Sequence, residues 1–140
     1  MIQAGCPEAC VFVVDDDDSL LEAVAEVLED DGYAVIVAFS GEQAWTMLQT
    51  HAPKPDVLLL DLLMPHGNGW SLMKRIRQEP KLLDIPVVTM SGLDASLAET
   101  VPGAAAHIAK PLEMHVLLDA MRLALSERGR AAPAPRARLW

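Results

Sequence analysis

The chain is short of cysteine, aromatics, basic residues and long apolar runs, and each scarcity excludes something. Two cysteines in 140 residues cannot build a disulfide scaffold. Both, Cys6 and Cys10, lie at the start of the chain. No second pair and no nearby histidine completes a zinc pattern, so they read as reduced bystanders. The longest apolar runs, such as Val57 to Leu60, are far too short to cross a bilayer. The N-terminus also lacks the basic start and apolar stretch of a signal peptide, so a cytoplasmic protein with no membrane association is expected. A net charge of −9 argues against nucleic-acid binding by the folded body.

A length of 140 residues suits one domain with a sizeable core and no need of staples. The charge is uneven, however. From Gly129 onward "GRAAPAPRARLW" holds three arginines and no acid. Such Ala/Pro/Arg composition cannot pack a core, so residues 129–140 read as a flexible tail. A basic docking peptide ending in Leu139-Trp140 is the sharper alternative. The expected organisation is an extension over 1–9, one domain over 10–128, and the tail.

Within that domain the hydrophobic period alternates. Cys10 to Val14 is a short β-branched run, and from Ser19 the period becomes helical, with Leu20, Leu21, Val24, Val27 and Leu28 on one face. Ser19 with Glu22 has capping-box spacing, and Gly32 closes the segment. Ala34 to Phe39 is a second strand, and Ser40 with Gln43 opens a helix through about Thr50. "PKPDVLLLD" is a third strand whose unbroken apolar run implies burial on both faces, as in a parallel sheet. The loop "LMPHGNG", a helix from Trp70 to Gln78, the strand "IPVVTM", the short strand "AAAHIA" and a last helix from Glu113 to Glu127 complete the order. Five alternations of strand and helix predict a doubly wound α/β sandwich on a five-stranded parallel sheet. Ligands bind such sheets outside the carboxyl ends of the strands.

The residues at those ends are few. Asp15 and Asp16 follow the first strand, Asp61 the third, Ser91-Gly92 the fourth and Lys110-Pro111 the fifth. Clustered carboxylates suit a hard ion such as Mg²⁺, which keeps several waters. A lysine and a hydroxyl beside it suit a phosphoryl group. An aspartate among them has the chemistry to become an aspartyl phosphate.

The order "VVDD", "LLLDLLMP", "MSG", "AKP" resembles the receiver domain of two-component response regulators, a flavodoxin-like fold, over about Val11 to Glu127. The resemblance implies that Asp61 is the phosphoacceptor. It implies that Asp15, Asp16, Asp61 and the backbone carbonyl of Leu63 hold Mg²⁺, with Mn²⁺ as a substitute, Asp15 acting mainly through water. Ser91 and Lys110 would bind the phosphoryl group, and the Lys110-Pro111 bond would be cis, which only X-Pro tolerates readily. His107, where receivers usually carry Tyr or Phe, would be a switch residue working with Ser91; a plain exposed strand histidine is the alternative. The implied partners are a histidine kinase or histidine phosphotransfer protein and a downstream protein target. The protein is then a single-domain signalling phosphoacceptor rather than an enzyme. A receiver-like interaction module that is not phosphorylated is the alternative function.

Competing motifs fare worse. "DDDDSLLEAVAE" loosely fits an EF-hand loop, but its sixth position is Leu20 rather than glycine. Asp15, Asp17, Ser19 and Leu20 match a haloacid dehalogenase-type phosphatase, with Asp15 as nucleophile. That reading leaves Asp61 unexplained and finds no acidic pair at a later strand end. Asp17 and Asp18 read as the acidic start of a helix. His66 and His115 read as surface residues, and the seven methionines as core filler.

Three departures from the resemblance carry expectations. Asn68 stands where receivers most often have Asp, and still caps a helix. The segment from Ser91 to Lys110 is about three residues short, nearly one helical turn, and contains Pro102-Gly103. The helix expected there is therefore short or irregular, with mobility from Asp94 to Gly103. Leu63 and Leu93 flank the place of an attacking water and orient none, which predicts slow hydrolysis of the phosphoryl group.

Overall fold

The computed structural model describes residues 9–50, 54–64, 69–92 and 103–131. In chain order the elements are β1 (Cys10–Val14), α1 (Asp18–Asp30), β2 (Ala34–Ala38), α2 (Gly41–Thr50), β3 (Val57–Asp61), α3 (Gly69–Arg77), β4 (Val87–Ser91), β5 (Ala104–Ala109) and α4 (Met114–Ala131). The strands form one parallel sheet in the order β2-β1-β3-β4-β5. The chain thus moves outward from β1 in one direction and then in the other, so the carboxyl ends of β1 and β3 lie side by side where the winding reverses.

The unbroken apolar runs of the central strands are explained by burial on both faces. Phe12, Val14, Leu58 and Leu60 point to one side and pack against Leu48 of α2 and Leu72, Met73 and Ile76 of α3. Val11, Val13, Val57 and Leu59 point to the other and pack against Leu21, Val24 and Leu28 of α1 and Leu117, Met121 and Ala124 of α4. All five residues of β3 are buried. Methionines 64, 73, 90 and 121 are buried in these cores, the filling role expected of them.

Local signals explain most element ends. Gly32, at φ +100°, closes α1 in a left-handed turn, with Gly32 N–H on Glu29 O (3.0 Å) and Tyr33 N–H on Leu28 O (3.0 Å). Ser40 Oγ accepts from Gln43 N–H (3.1 Å), while Gln43 Oε1 reaches back to Phe39 N–H (2.7 Å), one residue beyond the usual capping-box donor.

Several expected boundaries move. The cap of α1 is Asp17 rather than Ser19. Its carboxylate accepts from Leu20 N–H (3.2 Å), because an aspartate two residues upstream is as good a cap and starts the helix sooner. β3 begins at Val57, just after Asp56, whose carboxylate accepts from Cys10 N–H at 2.8 Å. β4 begins at Val87, because Ile85 N–H is spent on Leu82 O (3.1 Å), at the end of a 3₁₀ turn over Pro80–Leu82 capped by Glu79, and Pro86 has no N–H to give the sheet. α4 runs to Ala131, three residues into the expected tail, since Arg and Ala continue a helix readily. Residues 93–102, where the short helix and most of the mobile stretch were expected, lie outside the described residues, as do Cys6, His66, Asn68 and Leu93.

Candidate functional site

All five parallel strands end on one rim, and residues at or just after the ends of β1, β3, β4 and β5 form the cluster. Asp15 is fully buried. Its Oδ1 accepts from Asp17 N–H (3.0 Å), a local turn that turns the carboxylate back over the strand end. Asp61, the last residue of β3, is 2% exposed, and its Oδ1 accepts from Leu63 N–H (3.0 Å). Asp16 is exposed. One carboxylate oxygen from each of Asp15, Asp16 and Asp61 falls within 4.8 Å of the others.

Lys110 reaches this cluster from the end of β5. Its Nζ lies 2.8 Å from Asp15 Oδ2 and 3.2 Å from Asp61 Oδ2, so one ammonium bridges two buried carboxylates. The backbone holds it there: Lys110 N–H donates to Ser91 O (2.9 Å), and the Lys110-Pro111 peptide bond is cis. Burial pushes the Asp15 carboxyl above its usual range, and the Asp61 charge adds to this, against the pull of Lys110. Burial acts to lower the Lys110 ammonium, but its two carboxylate partners outweigh it and hold the pKa above the usual lysine value.

Two carboxylates and one ammonium leave the buried part of the rim net negative, with the exposed Asp16 adding to it. That all-oxygen donor set, open on the Asp16 side, fits a hard divalent cation such as Mg²⁺. Leu63 is beside it through its backbone, whose N–H is already tied to Asp61, while its side chain is half exposed.

The fourth strand contributes hydroxyls. Ser91 is fully buried at the end of β4. His107 is half-buried, not an exposed strand histidine, with Nε2 3.5 Å from Ser91 Oγ and Nδ1 2.7 Å from Thr89 Oγ1. Burial lowers its pKa. Thr89 escaped the sequence reading. Its signal was there in "VVTMS": a hydroxyl two residues before Ser91 shares its face of the strand. Gly69 also went unweighed as a site residue. A Cβ there would fall onto the carbonyl oxygen of Asp61 and 2.6 Å from Leu62 Cα, so only glycine lets α3 start against the end of β3. Elsewhere, burial raises the Cys10 thiol, which suits an inert bystander. The exposed His115 is the surface residue expected.

Comparison with known proteins agrees with this geometry. The response regulator receiver domain profile matches residues 11–122. The chain is 33% identical to the transcriptional regulatory protein CseB of Streptomyces coelicolor over 129 residues, 90% of this chain and 53% of that protein. It is 40% identical to the two-component response regulator-like PRR37 of Oryza sativa subsp. indica over 85 residues, 61% of this chain and 12% of that protein. It therefore spans from about an eighth to about half the length of these curated relatives. Among solved structures, the receiver domain of the Francisella response regulator 1452 superposes with a TM-score of 0.76 at 27% identity, covering 86% of this chain and 99% of the other. Asp15 as a phosphatase nucleophile is thereby set aside. Receiver domains bind Mg²⁺ through acidic residues and meet histidine kinases or phosphotransfer proteins, and the aspartate cluster of this chain is consistent with phosphorylation and Mg²⁺ binding. By sequence profile, topology and the convergence of Asp15, Asp16, Asp61, Ser91 and Lys110 on one rim, the chain belongs to the response regulator receiver domain family of two-component systems.

Proposed function

We propose that this chain is a phosphorylatable switch that takes a phosphoryl group onto Asp61 from a phosphohistidine of a sensor kinase or phosphotransfer protein. The reading rests on one observation above all: three carboxylates within 4.8 Å, two of them bridged by an ammonium, at the ends of adjacent parallel strands. An Asp61 oxygen forms a bond to phosphorus while the P–N bond of the donor breaks, and the histidine nitrogen leaves with its electron pair. Asp15, Asp16, Asp61 and the Leu63 carbonyl are the groups that would hold Mg²⁺ or Mn²⁺, which supplies charge neutralisation for the transferring phosphoryl group. Lys110 pairs with a phosphoryl oxygen as a point charge, and the Ser91 hydroxyl donates to another.

Signalling then passes by protein contact. Phe39 after β2, Leu63 after β3 and Trp70 at the start of α3 are large apolar side chains exposed around this rim, which favours a protein over a small-molecule partner. The net charge of −9 disfavours nucleic acid. Action in the cytoplasm, without an enzymatic activity of this domain beyond assistance to its own phosphorylation, belongs to the same proposal, with the folded unit running from residue 10 to the end of α4. Among the described residues no helix is long and apolar enough to cross a membrane.

The test is incubation with Mg²⁺ and a small phosphodonor, followed by intact mass and Trp70 fluorescence. A phosphoryl adduct that disappears in Asp61→Asn is expected. An unmodified wild-type protein would instead support a module that signals by contact alone.

A further inference from the structure

Thr89 is a fully buried hydroxyl in a strand whose other residues before Ser91 are apolar, and a buried hydroxyl must spend its proton somewhere. Parallel pairing sets Thr89 directly opposite His107, and Oγ1 lies 2.7 Å from Nδ1 but 3.4 Å from the Ala106 carbonyl oxygen. The first distance is a good hydrogen bond and the second is at the long limit. The hydroxyl has one proton, and where it goes decides which ring nitrogen of His107 carries the imidazole proton.

If Thr89 donates to Nδ1, the ring proton sits on Nε2 and faces Ser91 Oγ, 3.5 Å away. Ser91 then accepts from the ring, and its own proton points elsewhere. If Thr89 donates to Ala106 instead, Nδ1–H must donate to Thr89 and Nε2 is a bare lone pair. Ser91 would then turn its proton onto the ring. The 2.7 Å contact is a hydrogen bond in either arrangement, but only the first leaves the Ser91 proton free for an incoming phosphoryl oxygen, as the proposed role of Ser91 requires. Burial supports either neutral form over the imidazolium, because it lowers the His107 pKa.

We infer that Thr89 is a positioning residue for phosphoryl binding: it holds His107 as the Nε2–H tautomer, whose donor orients Ser91 Oγ so that the Ser91 proton faces a phosphoryl oxygen on Asp61. This rests on the reading of Asp61 as phosphoacceptor. Thr89 acts only through His107 and Ser91, and the chain of contacts runs Thr89 Oγ1, His107 Nδ1, His107 Nε2, Ser91 Oγ.

The test uses the full chain with ¹⁵N-labelled histidine, as wild type, Thr89→Val, Thr89→Ser and His107→Phe. Long-range ¹⁵N–¹H correlation spectra report which ring nitrogen of His107 is protonated. The Nε2–H form is expected in wild type and Thr89→Ser, and its loss in Thr89→Val. Valine suits a buried strand, so a folded variant is expected. Aspartyl phosphate formation from phosphoramidate with Mg²⁺ is then timed. Thr89→Val and His107→Phe should each slow it roughly fivefold, the weight of one net hydrogen bond. The double variant should be no slower than either alone, and Thr89→Ser should recover the wild-type rate. An Nδ1–H wild-type ring, or one unchanged in Thr89→Val, overturns the inference, as does a Thr89→Val rate equal to wild type. Wild-type protein that takes up no phosphoryl group fails the Asp61 reading instead, and the ring spectra still judge Thr89 by themselves.

Discussion

Replacing Asp61 by Asn should make the Mg²⁺-free protein more stable. Asp61 is 2% exposed and has the Lys110 ammonium 3.2 Å away, an attraction of about 5 kcal/mol at an effective dielectric of 20. Against this stand its carboxylate neighbours. Asp15 is buried with an oxygen within 4.8 Å, a repulsion of at least ~3.5 kcal/mol on the same scale. Asp16 is exposed and screened by water, so it adds only about 1 kcal/mol. The Coulomb contributions nearly cancel, and desolvation decides the sign. Burying a carboxylate costs several kcal/mol, of which Asn recovers most while leaving an imperfectly paired amide costing ~1–3 kcal/mol. A net gain of about 1–2 kcal/mol follows. Lys110 then pairs one-to-one with Asp15. In urea, with a chelator present, the midpoint should rise by about 0.5–1 M. Saturating Mg²⁺ should narrow or reverse the gap, since wild type gains about 2.7 kcal/mol at a hundredfold excess over Kd and the variant, short of a ligand, gains less. An Asp61→Asn protein at least 1 kcal/mol less stable than wild type in chelator would refute the idea that these carboxylates crowd one another.

Three other outcomes are expected. Gly69→Ala should lose about 1–3 kcal/mol or more in urea unfolding, or shift α3 away from β3, because the new methyl would meet backbone that has nowhere to go; a loss under 1 kcal/mol with unchanged phosphorylation would show that the approach is loose. Burial lowers the His107 pKa below the 6.5 of an exposed histidine, so the unfolded chain takes up a proton near that pH before the folded one does. Stability should therefore fall as the pH drops below about 6.5, and the part due to this residue should vanish in His107→Phe, measured as midpoint against pH. Leu63, half exposed beside Asp61, orients no water, so Leu63→Asn should shorten the lifetime of the aspartyl phosphate several-fold, up to the ~tenfold of one positioned hydrogen bond; an unchanged or longer lifetime would count against it.

The sheet, its parallel sense and the rim of acids were legible because they follow from period and position. A run such as Val57 to Leu60 can only be buried on both faces, and a carboxylate at its end can only lie on the rim. Helix starts were less legible. Asp17 and Ser19 are both good caps, and only the backbone path out of β1 chooses between them. The role of Gly69 was invisible in "HGNG", since what it avoids is the carbonyl of Asp61, eight residues earlier in the chain. Thr89 was hidden for the same reason. A threonine in a strand reads as β-branched filler until the register shows which residue stands opposite it, and that register contains a shift between Val87 and Val88 that the sequence does not announce.

If Asp61 is the phosphoacceptor as proposed, the charge count at the rim lets Lys110 serve both the resting and the phosphorylated protein without changing place. An ammonium has three donors in a rotating set. Two are used, on Asp15 Oδ2 and Asp61 Oδ2, and the side chain keeps 27% of its surface open. The third donor and that opening are what an incoming phosphoryl oxygen needs. A lysine sealed between its carboxylates would have to break a buried pair first, at a cost of several kcal/mol. One held at the edge only adds a bond. Arginine in its place would bring a rigid planar fork, and a fork that satisfies Asp15 and Asp61 together would leave its remaining donors in fixed directions. Lys110→Arg should therefore fold with near wild-type stability and yet take up the phosphoryl group more slowly. The comparison of urea midpoint with phosphoramidate kinetics separates the two effects. Equal uptake in both proteins would mean that charge alone, without the freely turning third donor, is what the site requires.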